Sequence, residues 1–354
     1  MIRVREAGPG DGRALVDFLL RTPLRAGTEF VLDRSPDFTA LLRLRGESRT
    51  FLAYAGSALA GTATALWHDV PNGRGSVRVG EVVDLRVAEW ARGGPAAARV
   101  LRAVHDAFGA AGVDWAVSLI GDRNAAAAPL VHGKAGLPAL RRLARYASVH
   151  FIACRLPAPR WPSGIAIREA ARGDAAAVRD LMEETFAERR ASRPPLPWPD
   201  PAGMHRAWVA LDTSGRPWGV LILWDGVGVR RIRVTRYRGV DHLFRAGVAL
   251  AAGLGLAAPL PAPGDVLRLW ASRWFGVRGD RRDVARALVQ AALRCAAREG
   301  LHVVQINLRE GDPLLGALPL APRSCYWSTL YGCQLGGSDD RAPEATYHAD
   351  VALV

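Results

Sequence analysis

Residues 2–19, IRVREAGPGDGRALVDFL, open with alternating apolar and polar positions and pass through a Gly-Pro-Gly-Asp turn into an apolar face spaced by three and four residues. Period two predicts a short half-buried strand and period 3.6 an amphipathic helix. The same pattern returns without gaps at 165–182, IAIREAARGDAAAVRDLM. Identities fall at Ile2/Ile165, Arg5/Arg168, Glu6/Glu169, Ala7/Ala170, Gly10/Gly173, Asp11/Asp174, Ala14/Ala177 and Asp17/Asp180. Eight matches in eighteen positions at one fixed offset indicate an internal duplication. In each copy Asp11 or Asp174 stands where a helix N-cap is expected.

The parallel continues downstream. Residues 51–69 and 208–226 each read as two strands around a small-residue turn. Residues 81–92 pair with 268–282, a strand running into a helical segment, and strand-like 114–124 pairs with 302–312. The chain therefore reads as two copies of one α/β unit of roughly 160–190 residues each. The expected boundaries are a first domain over 1–156, a Pro-rich linker over 157–164 and a second domain over 165–354. A second proline-dense stretch, 190–203, reads as a surface loop, or as a lid over the second copy's groove. The longest apolar run, Ala246–Leu260, is too short and too rich in glycine to span a bilayer, and is expected as a buried helix or the wall of an acyl pocket.

Two stretches of the first copy carry candidate chemistry. The strand EVVDLRV ends at Val87, five residues before Arg92, and the turn Arg92-Gly93-Gly94-Pro95-Ala96-Ala97 opens a helix. Small residues there let backbone N–H groups at a helix start approach an anion. After the next strand, NAAAAPLVHGKAGL (124–137) reads as an Asn-led helix ending in Lys-x-Gly-Leu. The order strand, glycine-bearing turn, helix, strand, Asn-led helix resembles the acyl-CoA-binding core of the GCN5-related N-acetyltransferases (GNATs), in which tandem copies are a known arrangement. The resemblance implies an α/β fold of two tandem GNAT-like domains, each a mixed, mostly antiparallel twisted sheet flanked by helices. It implies a donor, acetyl-CoA, a longer acyl-CoA or an acyl carrier protein thioester, held by Leu85, Val87, Arg92, Gly93, Gly94, Ala96, Ala97, Asn124 and Lys134, with no metal. Pro95 departs from the pattern: it stands where glycine is usual and removes one N–H donor, though proline suits the first turn of a helix.

The resemblance also assigns roles. His132, four residues before Gly136, occupies the place of the family's proton-donating tyrosine, and histidine exchanges protons near neutral pH; a surface histidine is the alternative. Glu81, counted from Val87, falls where the family's general base lies, with Asp84 on the opposite face of the strand by alternation as a second candidate. The structural alternative for both is an ion pair with one of the many arginines. In the second copy Val277 again precedes Arg282 by five, but Asp283 stands near the phosphate position and would repel a diphosphate. Asp312 replaces Asn124, and GDPLLGALPL reads as a packed apolar helix. The first copy is therefore the expected catalytic one, and the second a structural or substrate-shaping partner.

Composition adjusts this picture only slightly. The formal charge is +13, and Lys134 is the sole lysine, so arginine supplies nearly all the positive charge. A GC-rich genome accounts for that, as does attraction of an anionic partner such as CoA or an acidic carrier protein. No dense basic run with interleaved aromatics points to nucleic acid. Cys154, Cys295, Cys325 and Cys333 lack metal-ligand spacing and fit a reduced, cytoplasmic protein, and the N-terminus lacks an apolar leader. The sequence thus points to transfer of an acyl group to an amine-bearing small molecule or peptide, with a catalytically silent binding module as the alternative.

Overall fold

The computed structural model describes residues 1–26, 28–71, 76–155, 161–189 and 203–336. Half of the expected linker (157–160) and all but the last residue of the proline-dense stretch 190–203 lie outside these residues. The first half comprises β1 (Ile2–Glu6), α1 (Gly12–Arg21), β2 (Leu24–Ala26), β3 (Thr28–Asp33), α2 (Ala40–Arg43), β4 (Glu47–Ala55), β5 (Ala58–Pro71), β6 (Ser76–Val87), α3 (Ala96–Ala110), β7 (Trp115–Gly121), α4 (Ala128–Val131) and β8 (Arg141–Ile152). The second comprises β9 (Ile165–Glu169), α5 (Ala175–Arg189), β10 (His205–Asp212), β11 (Pro217–Trp224), β12 (Arg231–Arg236), α6 (Val240–Gly253), β13 (Val266–Leu267), β14 (Leu269–Val277), α7 (Arg282–Arg298), β15 (Val303–Arg309) and β16 (Arg323–Gln334).

The duplicated residues build the same corner twice. Arg5 grips Asp11 with both terminal nitrogens at 2.7 Å while the Gly8 amide donates to the same carboxylate at 2.7 Å. In the second half Arg168 meets Asp174 at 2.7 and 2.8 Å, and the Ala171 amide completes the set at 2.6 Å. Arg5 and the Gly8 amide hold the Asp11 carboxyl down at about 2. The expected helix caps are corrected here: Asp11 and Asp174 close one-turn 3-10 segments, Pro9–Asp11 and Arg172–Asp174, and bond backward to the strand side rather than into α1 or α5.

Twelve strands form one sheet in the order β1-β4-β5-β6-β7-β16-β8-β15-β14-β11-β10-β9. Its centre is an exchange. The last strand of the second half, β16, runs antiparallel between β7 and β8, while β8 pairs with β15 of the second half. Each half thus takes its outer neighbour from the other, and the two exchanged strands pair with each other. Every ladder here is antiparallel except two, β6 with β7 and β14 with β15.

Helices α3 and α7 cover the sheet through apolar faces. Val100, Val104 and Phe108 of α3 are buried with Ala63, Ala65 and Trp67, and Val284, Leu288, Ala292 and Leu293 of α7 with Leu221, Leu223 and Phe275. Burying each such side chain contributes about 1.5–3 kcal/mol, against the ~0.5 kcal/mol of an exposed helix ion pair, so these faces and not the surface arginines hold the helices down. A second, four-stranded sheet, β13-β12-β3-β2, joins an insertion of the second half to the first. Asp33, at the end of β3, is 2.8 Å from Arg233 and 3.3 Å from Arg231 of β12.

The run Ala246–Leu260 is not a buried helix. It supplies the C-terminal half of α6 and the segment after it, and within α6 Val248 alone is buried, against Ile152 and Val303. The helix meets the protein along one narrow edge, so its leucines remain outside. Among the described residues no helix is long and apolar enough to cross a membrane, and all four cysteines are free.

The exchange has a measurable consequence. Residues 1–155 expressed alone lack β16, leaving β7 and β8 with unpaired inner edges. This fragment is expected to aggregate or to melt without cooperativity, whereas co-expression with 161–354 is expected to yield a one-to-one complex on size exclusion with a single thermal transition.

Candidate functional site: a fork between two parallel strands

Strands β6 and β7 pair in parallel only over Val79–Glu81 and Trp115–Val117. Beyond Glu81 the two strands part, each still hydrogen-bonded on its far side, β6 to β5 as far as Val87 and β7 to β16 as far as Gly121. The result is a fork with unshared inner edges. Along the parting stretch Val82, Leu85 and Val87 of β6 pack against the core cluster under α3, and Leu119 of β7 packs against a separate cluster around Trp115 and Tyr146.

Beside the fork, the turn from β6 leads into α3. Gly93 adopts φ +77°, a left-handed conformation that glycine takes without strain. The Gly94 amide is spent inward on the Ala91 carbonyl at 3.2 Å. Pro95 caps α3, and the Arg99 amide bonds to its carbonyl at 3.0 Å. The amides of Ala96, Ala97 and Ala98 therefore form the helix's first turn, which has no intrahelical acceptor and carries the positive end of the dipole. Arg92 is exposed at its mouth, 4.0 Å from Glu89. These features fit an anionic diphosphate, with Pro95 costing one donor.

Glu81 and Asp84 sit on either side of the point of parting, and both are buried. Glu81 is ion-paired to Arg45, itself 2% exposed, and its other oxygen lies 3.7 Å from Nδ1 of His68. Asp84 meets Arg34, also 2% exposed, at 2.6 and 2.9 Å. The simple alternation expected for Asp84 fails: β6 bulges against β5 between Thr62 and Thr64, and Asp84 lies in the bulge with φ +54°. Both carboxylates are thus ion-paired in the interior.

The segment 124–137 is not a single helix. It breaks into a 3-10 turn (Ala125–Ala127), α4 and a second 3-10 turn (Lys134–Gly136), because Gly133 and Gly136 take positive φ. Asn124 precedes the first turn without capping it through its side chain. His132 and Lys134 are exposed near its end, and among the described residues no hydrogen bond or ion pair joins His132 to Glu81 or Asp84. Leu85 and Val87 thus lie on the parting stretch of β6 and Arg92–Gly94, Ala96 and Ala97 on the turn into α3, while Asn124, His132 and Lys134 are exposed on the segment after β7.

The matching fork of the second half is closed. Parallel pairing of β14 with β15 ends at Ala271 and Gln305. There the Asn307 amide donates to Ser272 Oγ at 2.8 Å, and Asn307 Nδ2 to the Ser272 carbonyl at 3.1 Å, stitching the parting strands together. Leu314, Ala317 and Leu318 then join Phe275, Val277 and Leu308 in one buried cluster. In the first half, none of residues 124–131 enters the core cluster under α3. At α7, Asp283 is taken by Arg281 at 2.5 Å.

Sequence reasoning missed Arg34 and Arg45, which the segment between β3 and β4 delivers to the fork. Among so many arginines nothing singled them out except their setting: Arg45 directly precedes Gly46, where a Cβ would come within 2.4 Å of the Trp67 carbonyl. It also missed a polar group where the halves meet. His150 of β8 stacks edge-on against Tyr326 of β16 at 5.2 Å. Burial lowers the His150 imidazole to about 4, against opposing hydrogen bonds with the Gln305 side chain and the Ser148 backbone.

No protein-family model and no curated protein sequence matches the chain. Solved structures do match in fold. A tandem GNAT protein from the clavulanic acid biosynthesis pathway, solved without acetyl-CoA, superposes with TM-score 0.58 at 13% identity, over 96% of this chain and all of that one. A GCN5-related N-acetyltransferase from Sphaerobacter thermophilus gives 0.60 at 16% identity, covering 94% of this chain and 95% of its own. Saccharomyces cerevisiae N-myristoyltransferase with bound myristoyl-CoA gives 0.61 at 10% identity, covering 96% and 86%. The chain has the tandem GNAT fold.

Removing one partner of a buried ion pair strands the other. Arg45→Ala is expected to lower unfolding stability by about 3–5 kcal/mol in urea titrations, with Glu81→Gln added to it recovering part of the loss. His150 sets an acid limit. Its pKa is depressed on folding, so its contribution is full above about 6.5 and is lost as pH falls toward about 4. His150→Phe should flatten the stability profile across that window, by up to about 3 kcal/mol at its lower end.

Proposed function

We propose that the protein is an N-acyltransferase whose first half binds the acyl donor at the β6/β7 fork. One observation carries the reading: the duplication contains the same fork twice, and side chains stitch and fill the second while the first keeps unshared strand edges beside a helix start. A fork without a ligand role has no reason to differ in this way from its sealed twin. Acetyl-CoA or a longer acyl-CoA bound there would supply an activated acyl thioester, and a carrier-protein thioester is the other donor of the same chemistry.

The first-turn amides of α3 and Arg92 hold the diphosphate, with Lys134 as a further cation. The edge of β6 at Val87 offers main-chain groups to an extended amide-bearing chain, beside Leu85, whose carbonyl accepts from Arg86 at 3.0 Å. Glu81 and Asp84, each bound to a buried arginine, fix the backbone at the fork. His132, exposed and in the register of the family's proton donor, supplies the proton of the acid role. The acceptor is an amine of a small molecule or peptide. Pro95 and the pairing of Glu81 and Asp84 with buried arginines favour the second reading, a module that binds acyl-CoA without turning it over.

Acyl-CoA should raise the melting temperature of the full chain, with acetyl-, octanoyl- and myristoyl-CoA compared side by side. Arg92→Glu places a like charge beside the diphosphate and is expected to weaken binding by about tenfold or more, while Asp283→Ala at the sealed fork changes nothing. Stabilisation without amide formation across an amine panel supports the silent module; no stabilisation by any thioester removes both readings.

A further inference from the structure

The outer face of α6 is apolar and uncovered. Val240, Leu243, Leu250 and Leu254 are 78%, 75%, 72% and 69% exposed, and Phe244 38%. At 100° per residue these five, with Gly247 and Ala251, fall within an arc of about 120° that contains no polar side chain. The opposite side of the helix is the one that is held. Val248 is buried against Ile152 and Val303, Asp241 accepts a hydrogen bond from Thr28 at 2.6 Å, and Arg245 lies over the Tyr237 ring.

The segment entering the helix is cationic. Residues 231–257 contain five arginines and a single carboxylate, Asp241, which is turned inward to Thr28; Arg231 and Arg233 are held by Asp33, and Arg245 lies over Tyr237 on the held side of the helix. Arg236 and Arg238 are exposed on the segment that enters the helix, and Arg238 remains half exposed although 2.5 Å from Glu29. Exposed apolar stretches of this kind mark a contact surface. Protein partners use faces that carry Tyr, Trp or Arg and about one hydrogen bond per 100–200 Å². The arc offers only Val, Leu, Phe, Gly and Ala, which hydrocarbon accepts without any hydrogen bond. The fourteen-residue helix is about 21 Å long, too short to cross a ~30 Å hydrocarbon layer but suited to lying in its plane.

We propose that α6 lies on the surface of an anionic membrane, its apolar arc among the headgroups and upper acyl chains and Arg236 and Arg238 against lipid phosphates. The inference is independent of the acyltransferase reading.

Co-sedimentation of the full-length protein with vesicles tests it. The protein is expected to pellet with phosphatidylcholine–phosphatidylglycerol vesicles, to be released from them by salt, and to stay in solution with phosphatidylcholine alone. Leu243→Glu combined with Leu250→Glu should lower the bound fraction by about tenfold or more. Because both positions face solvent, the melting temperature should not change; if it falls, Leu250→Ser alone serves in the same assay. Equal pelleting of the variant, or failure of the parent protein to bind the anionic vesicles, overturns the proposal. So does a dimer in sedimentation velocity that the same substitutions dissociate, since the face would then belong to a second copy.

Discussion

The main-chain ladder through β7, β16, β8 and β15 is the constraint on which the rest of the molecule depends. These four strands come alternately from the two halves, and their hydrogen bonds join the strands that each half pairs for itself into one continuous sheet. Buried main-chain donors and acceptors have to be paired, and here each half satisfies that demand with the other's last strand. The ladder also fixes the far edge of β7 and of β15, so a fork on the near edge stays open or shut according to local side chains alone.

The two forks show what those side chains decide. Ser272 and Asn307 stand in for the missing parallel hydrogen bonds in the second half, and the Pro313–Ala317 turn brings Leu314 and Ala317 into the space over α7. In the first half Val82 and Leu119 cannot bridge, and the glycines at 133 and 136 break the chain into short turns that do not descend into the core. In one duplicate side chains bridge the parting strands; in the other they do not.

Much of this was legible in the sequence, because it rests on local pattern. The duplication, the strand pairs and the turn at 92–97 follow from periodicity and from small residues at a helix start. The strand exchange was not legible, since β8 and β16 look alike as apolar alternating runs and only long-range pairing decides their neighbours. The roles of Arg34 and Arg45 were hidden by the abundance of arginine, and the placement of Asp84 by a bulge that period two does not register. The apolar run after Ala246 misled for a different reason: a long stretch without charge is ordinarily core, and here only Val248, Ala257 and Leu260 reach the buried cluster with Ile152 and Val303.

The four-stranded sheet between the halves carries a last implication. Its strand β3 ends at Asp33, clasped by Arg231 and Arg233 of the second half, and the very next residue, Arg34, enters the interior of the first half to meet Asp84. The sealed duplicate thereby acts as a jig for its open twin. Selection on the one is felt in the other, so the two gene segments are bound to evolve together and could not be recombined piecemeal with those of a relative.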